Sequence, residues 1–340
     1  MNHTASPIQH TLSVKELLYE IFSYSNTSSN ATNARVCKAW SDEALNFVWY
    51  DVELRNLISL LAPLGLSSSC ALALSRPVGA SDWIRFNEYA WRVRNLSSRW
   101  DWDTSVFAEM ASTGRESELI PNLVTLTIDS SGSYPIIDLF GHSSVQSLTL
   151  SYLPAYNLAE SFETTGEANS KLRIIPTKMP NLRTLSVQNK SNQRQPSEHR
   201  IVRYFAPVVD GLTFLEGLVI PDFWLTDTLI GRLSSLPWLR RVEALPTKEG
   251  LSCVLPPFNN HFPSLEVLAL TMGLNQAATW LLQCRYPKAL TSLSLTLLES
   301  PPLDNEWPAL SMLSHPSFSL YENSAFFRHV AGVGSLLKGT

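Results

Sequence analysis

Residues 121–128 read PNLVTLTI, and the placing of their apolar residues decides the fold. Leu126 and Ile128 alternate with Thr125 and Thr127, the period-two signature of a half-buried strand, while Leu123 stands three residues ahead. The same hexad, L-x-x-L-x-L with near-equivalents, returns as VQSLTL from Val145, LRTLSV from Leu182, LEGLVI from Leu215, LRRVEA from Leu239, LEVLAL from Leu265 and LTSLSL from Leu290. Four copies carry a proline two residues before the first apolar position: Pro121, Pro180, Pro237 and Pro263. Counted on the fourth position, the copies lie 22, 37, 33, 24, 26 and 25 residues apart. Four of these intervals fall in the 20–29-residue range of leucine-rich repeats. The two long ones hold the insertions PAYNLAESFETTGEANSKL and NKSNQRQPSEHR, the second polar and without apolar period.

Each copy therefore predicts a short parallel strand that cannot bury its own leucines and folds only as part of a stack. The third and fifth hexad positions face outward: Thr125/Thr127, Ser147/Thr149, Thr184/Ser186, Gly217/Val219, Arg241/Glu243, Val267/Ala269 and Ser292/Ser294. Eight of these fourteen residues are Ser or Thr and one pair is charged, so the surface lacks the Trp, Tyr and Arg that anchor most interfaces. Ser and Thr also simply suit a half-exposed strand. A partner is expected to be gripped by loops and ends, with Trp224, Arg241, Glu243 and Trp307 as candidate substrate-binding residues.

The chain of 340 residues is 44% hydrophobic and 16% charged, a composition for a folded protein. Its net charge of −4 gives no basic footprint for nucleic acid. The four cysteines, Cys37, Cys70, Cys253 and Cys284, are scattered without a C-x-x-C pair, so free thiols in a reducing compartment are expected. The opening residues show no secretory pattern, and the expected location is cytoplasmic or nuclear. An uncharged stretch between Arg55 and Arg76 approaches membrane-spanning length. Pro63, Gly65 and Ser67–Ser69 interrupt it, and a helix over 52–61 followed by a turn is expected instead. The triplets Asn30-Ala31-Thr32 and Asn95-Leu96-Ser97 match a glycosylation acceptor by composition only.

No catalytic motif stands out, and neither cofactor nor metal is expected. GHSSV at Gly141 departs from G-x-S-x-G at Val145, and its serine leads into a predicted strand. The seven histidines are dispersed. Cys37, between Arg35 and Lys38, is the one thiol with basic neighbours. It shares a predicted helical face with Val36 and Trp40, which predicts a packed thiol.

Ahead of the repeats, VKELLYEIFSY places Leu17, Leu18, Ile21 and Phe22 on one helical face. The polar tract SNTSSN then stops that helix. A second helix is expected over roughly 31–40 and a third after Ser41, with Ala44, Leu45, Val48 and Trp49 on one side. From 52 to about 115 a helical stretch follows, in which DWIRFNEYAWRVRNL sets Trp83, Phe86, Ala90 and Val93 opposite Arg85, Glu88 and Arg92.

The first unit resembles the F-box, the adaptor-docking module of cullin-RING (SCF) ubiquitin ligases. The residues that carry the likeness are Leu12, Glu16-Leu17-Leu18, Ile21-Phe22, Val36-Cys37-Lys38-Ala39-Trp40 and Val48-Trp49. Ser13 stands where the pattern has proline, and Ser25 where it has leucine. The whole chain is similar to the large fungal group of F-box proteins with irregular repeats. The resemblance implies an α/β chain with an N-terminal three-helix F-box at 12–51, a helical linker at 52–115, a leucine-rich-repeat solenoid at 119–300 and a tail or incomplete cap at 301–340. It implies adaptor binding through Leu12, Leu17, Ile21, Val36, Cys37 and Trp40, a Skp-type adaptor and cullin as partners, and a protein substrate on the repeats. The chain itself would be no enzyme. Three rivals remain open: a repeat scaffold that no longer joins a ligase, a thiol activity at Cys37, and nucleic-acid binding through Arg85, Arg92, Arg94 and Arg99.

Overall fold

The computed structural model describes residues 14–112, 118–129, 133–152, 167–189, 198–245, 262–272, 289–297 and 318–319. The chain is α/β and divides into two compact units, Met1–Val145 and Gln146–Thr340.

The first unit begins with three short helices: α1 (Lys15–Ser23), α2 (Thr27–Asn33) and α3 (Lys38–Val48). Their core is small. Leu18, Phe22 and Ala44 are fully buried, and Ala34, Trp40 and Phe47 pack against them. The Trp40 and Phe22 rings meet edge to face at 5.5 Å. The polar tract does not merely stop α1, as the sequence suggests. Asn26 caps α2 by accepting from the Ser29 N–H at 2.8 Å, so its Asn/Ser/Thr residues start a helix of their own. Buried Asn30 then donates its amide to the Phe22 and Ser25 carbonyls, at 3.0 and 3.3 Å, and closes the C-terminal end of α1. That burial also removes Asn30 from the surface as a glycosylation acceptor. The expected helix over 31–40 is broken. Cys37 has extended backbone (φ −159°, ψ 167°) and precedes α3.

The remaining elements of this unit are β1 (Asp51–Glu53), α4 (Leu54–Ile58), the antiparallel pair β2 (Leu64–Leu66) and β3 (Leu72–Leu74), α5 (Ala80–Ala90), β4 (Asn95–Ser98), α6 (Thr104–Ser112), β5 (Thr125–Ile128) and α7 (Ser133–Phe140). Strands β1, β4 and β5 lie side by side in that order, all parallel, with Val52, Leu96 and Leu126 in register. The expectation of a purely helical stretch after residue 52 is therefore corrected: it contributes strands. WYDVEL from Trp49 and VRNLSS from Val93 occupy the same frame as the recognised hexads. The Tyr50 carbonyl accepts from the Arg94 and Asn95 N–H groups, and the Arg94 carbonyl from those of Val124 and Thr125. Ser98 takes a place where the other copies hold an aliphatic residue, and its buried hydroxyl accepts from the Trp102 indole N–H at 3.1 Å. Helix α5 buries Trp83, Phe86 and Ala90 as its spacing predicts, and Val93 is buried just beyond it.

In the second unit β6 (Ser147–Tyr152), β7 (Thr184–Asn189), β8 (Gly217–Pro221), β9 (Arg241–Leu245), β10 (Val267–Met272), β11 (Ser292–Leu297) and β12 (Phe318–Ser319) also pair in chain order, every pair parallel. Leu148, Leu185, Leu218, Val242, Leu268 and Leu293 form one row across the strands, each nearly or fully buried. Strand β12 follows the last hexad, where the sequence pattern lapses. Helices α8 (Glu167–Lys178), α9 (Glu198–Gly211) and α10 (Asp227–Leu233) occur between the strands, with α8 on α9 and α9 on α10. Gly211 lies so close to Pro176 that a β-carbon there would stand 2.6 Å from the proline Cβ. Among the described residues no helix is long and apolar enough to cross a membrane.

Candidate functional site

Two surfaces carry the candidate residues. The first belongs to α1 and the turn before α3. Because Leu18 and Phe22 fill the core, their neighbours in sequence must point elsewhere. Leu17, Ile21 and Val36 keep 43, 48 and 59% of their surface in water, and Tyr19 and Tyr24 are exposed too. Leaving this much apolar surface on so small a module has no stabilising effect on the module itself. Trp40 belongs to both worlds: it is half-buried, with its ring against Phe22. Cys37 is exposed, so the packed thiol expected from the sequence is not found; the break before α3 turns it out of the core. Leu12 lies outside the described residues. Sequence reasoning passed over Tyr19, which leans on Phe47 at 4.9 Å between ring centroids, and Tyr24 at the end of α1. Both follow from the 3.6-residue period once Leu18 and Phe22 are assigned inward.

The second kind of surface is the outward row of the strands, taken within each unit by itself. Third and fifth hexad positions are half-exposed in nearly every copy, as the alternation requires, with Gly217 and Ser186 more deeply set. Arg241 and Glu243 stand on β9 and pair with each other at 2.7 Å. In the first unit, Asp51 and Glu53 hold the same positions on β1, a charged pair hidden by the unrecognised hexad. Trp224 must be withdrawn as a surface anchor. It is 2% exposed, and its ring sits 5.0 Å from that of Phe205 and 6.5 Å from that of Phe223. The turn Asp222–Trp224 folds these aromatics under the helices, since apolar rings of this size gain most from full burial. Trp307 lies outside the described residues.

Charge at the arginines is largely committed. Arg92 donates to the Asp42 carbonyl at 2.8 Å and to the Asn46 side chain, faces the Asp42 carboxylate at 3.9 Å, and stacks on Trp91 at 4.4 Å. It ties the end of α5 to α3 rather than standing in solvent. Arg94 donates to the Trp91 and Asn122 carbonyls. Arg85 and Arg99, the other two of the four, are exposed. Arg76 holds Asp82 bidentately at 2.7 and 2.9 Å. Those hydrogen bonds, with a further one from the Gly79 N–H, lower the Asp82 carboxyl to about 2. The pair fastens the start of α5.

One Ser–His–Glu grouping needs a chemical reading. His142 Nδ1 lies 3.0 Å from Ser144 Oγ and 3.5 Å from a Glu118 carboxylate oxygen, while its Nε2 donates to the Ile120 carbonyl at 2.8 Å. Ser144 in turn donates to the Leu123 carbonyl at 2.7 Å. Serine and glutamate thus share one ring nitrogen, and the other is held by a carbonyl. This is a strut between loops and not a nucleophile with its base and orienter. Among the described residues no group of His, Cys, Asp and Glu is arranged to hold a metal ion.

No protein-family model matches the chain, and no curated protein matches it in sequence.

Proposed function

We propose that this chain is the substrate-receptor subunit of an SCF-type ubiquitin ligase. In this reading residues 12–51 are an F-box that docks on a Skp-type adaptor and through it on cullin. The parallel strands of each unit, with their hexads, are leucine-rich repeats that recruit a protein substrate. The observation that supports it best is the apolar set Leu17, Ile21 and Val36. These residues stand at F-box pattern positions, are excluded from the small core of the three helices, and are left in water. The chain would contribute no acid, base or nucleophile. Its chemistry would be proximity, raising the effective concentration of a substrate lysine beside the conjugating enzyme held elsewhere on the ligase. The outward row of the second unit, neutral apart from Arg241 and Glu243, would meet the substrate.

A second reading keeps the repeats as a binding scaffold and drops the ligase. It draws on Ser25, whose hydroxyl donates to the Ile21 carbonyl at 3.3 Å where the F-box pattern places a leucine side chain for contact. Titration of the full chain with a purified Skp-type adaptor separates the two. Saturable one-to-one binding, lost on Ile21→Asp in a variant with unchanged thermal unfolding, supports the receptor. A folded chain that ignores the adaptor refutes it and leaves the scaffold.

A further inference from the structure

Along one edge of the second unit the residues that flank the first apolar position of each hexad form two lanes. The outer lane, one residue before that position, reads Asn181, Phe214, Trp238 and Ser264 over four consecutive copies. The inner lane, one residue after it, reads Arg183, Glu216, Arg240 and Glu266. The backbone fixes these residues as neighbours: the Arg183, Glu216 and Arg240 carbonyls accept, in turn, the N–H groups of Glu216, Arg240 and Glu266. The side chains pair along the lane as Arg183–Glu216 at 2.9 Å and Arg240–Glu266 at 3.9 Å, yet each keeps 40–58% of its surface in water. Phe214 and Trp238, at the middle of the other lane, are 51 and 52% exposed.

The order of charges is the informative feature. A run of plus, minus, plus, minus is converted into its complement by a half-turn about its midpoint. A two-fold axis between the β8 and β9 copies would set Arg183 against Glu266 of a second molecule, and Glu216 against Arg240, each contact occurring twice. The same axis passes between Phe214 and Trp238, bringing each ring toward the other ring of the second molecule. Asn181 and Ser264 then fall at the rim. An apolar aromatic centre with a polar rim is the usual anatomy of an interface, and a surface complementary to itself under a half-turn is what an isologous dimer requires.

We propose that this edge is a self-association surface, and that its occupant is a second copy of the chain in antiparallel register. The inference stands apart from the ligase reading and does not depend on it. Three strand spacings of about 4.8 Å make a strip about 15 Å long, short of the roughly 800 Å² per partner of a stable interface. The dimer is accordingly a reversible one, with dissociation in the micromolar range, and its charge pairs make it weaker at high salt.

Sedimentation equilibrium of the full chain from 1 to 300 μM tests this, at about 0.05 and 0.5 M salt. The expected result is a monomer–dimer equilibrium weakened severalfold by salt. Trp238→Ser should raise the dissociation constant at least tenfold. Arg240→Glu should do the same, because it places like charges against each other twice by symmetry. Glu216→Arg combined with Arg240→Glu restores opposite charges across the axis and should recover most of the wild-type affinity. Circular dichroism on each variant checks that the repeats remain folded. A monomer across the whole range overturns the proposal. So does a dimer unaffected by Trp238→Ser and Arg240→Glu, or a double variant no better than Arg240→Glu alone.

Discussion

Ile21 and Phe22 are adjacent in sequence and opposite in consequence. Phe22 is fully buried in a core that holds two other fully buried residues, whereas Ile21 has nearly half of its surface in water. Replacing Leu17, Ile21 and Val36 together by alanine removes no core contact, and two of the three sites lie in α1, where alanine is the better helix former. The cost to stability should stay within about 0.5 kcal/mol per site. Adaptor binding should respond very differently. The three residues keep in water about one and a half side chains' worth of apolar surface, and full burial of one such side chain is worth about 1.5–3 kcal/mol. If docking covers them, the triple variant loses about 2–4 kcal/mol, or roughly 30- to 1,000-fold in affinity. Phe22→Ala should instead cost about 3–5 kcal/mol and melt the three helices before the repeats. Isothermal titration with the adaptor, beside far-ultraviolet circular dichroism of each variant, reads both numbers. A triple variant that binds within threefold of wild type would refute the assignment of this face. A Phe22→Ala chain that unfolds like wild type would refute the packing argument.

Other outcomes follow from single sites. The Asp82 carboxyl, at about 2 in the folded chain, lies below its ordinary value of 3.8, so the unfolded chain binds more protons between these limits. Its stabilising effect is present above about pH 4 and is lost as pH falls toward 2; urea melts at pH 4.5 and 2.5 should show a smaller acid loss in Arg76→Ala, and equal losses would contradict the pairing. Gly211→Ala should destabilise by about 1–2 kcal/mol, since the clash with Pro176 outweighs the modest gain in helix propensity at the end of α9; an unchanged or raised melting temperature would count against that close approach. Cys70 has φ of 60°, in the left-handed region, at the turn between β2 and β3. Cys70→Gly should raise stability by about 0.5–1 kcal/mol and Cys70→Val should lower it, with the same sign for both arguing against strain there.

Much of this architecture can be read from the hexads, because a strand with one buried face repeats its demand for leucine every two residues. WYDVEL and VRNLSS escaped for a physical reason: their frames hold a tryptophan at the first place and a serine at the last. Ser98 is tolerated inside only because Trp102 supplies a donor, a long-range compensation that no local pattern contains. The polar tract misled for a related reason. Asn26 and Asn30 look like helix breakers, yet one caps α2 and the other satisfies carbonyls at the end of α1. In the candidate site, the outward direction of Ile21 and Val36 is legible only after the core has been chosen. The burial of Trp224 depends on Phe205, nineteen residues away on another helix, and periodicity is blind to it. Arg92 shows the same limit: its spacing puts it on a solvated face, while its partners are Asp42 and Asn46.

Among the described residues of the second unit, each strand after β6 pairs with the one made just before it. On the ribosome this means the emerging polypeptide always meets a finished template. At 5–20 residues per second, about one to seven seconds separate successive templates, far longer than the microseconds a strand needs to find an adjacent edge. The growing end then advances one strand at a time, each new strand covering the edge left by the last. Synthesis itself sets the order of assembly, and a pause in translation would stall the array with one sticky strand exposed rather than many.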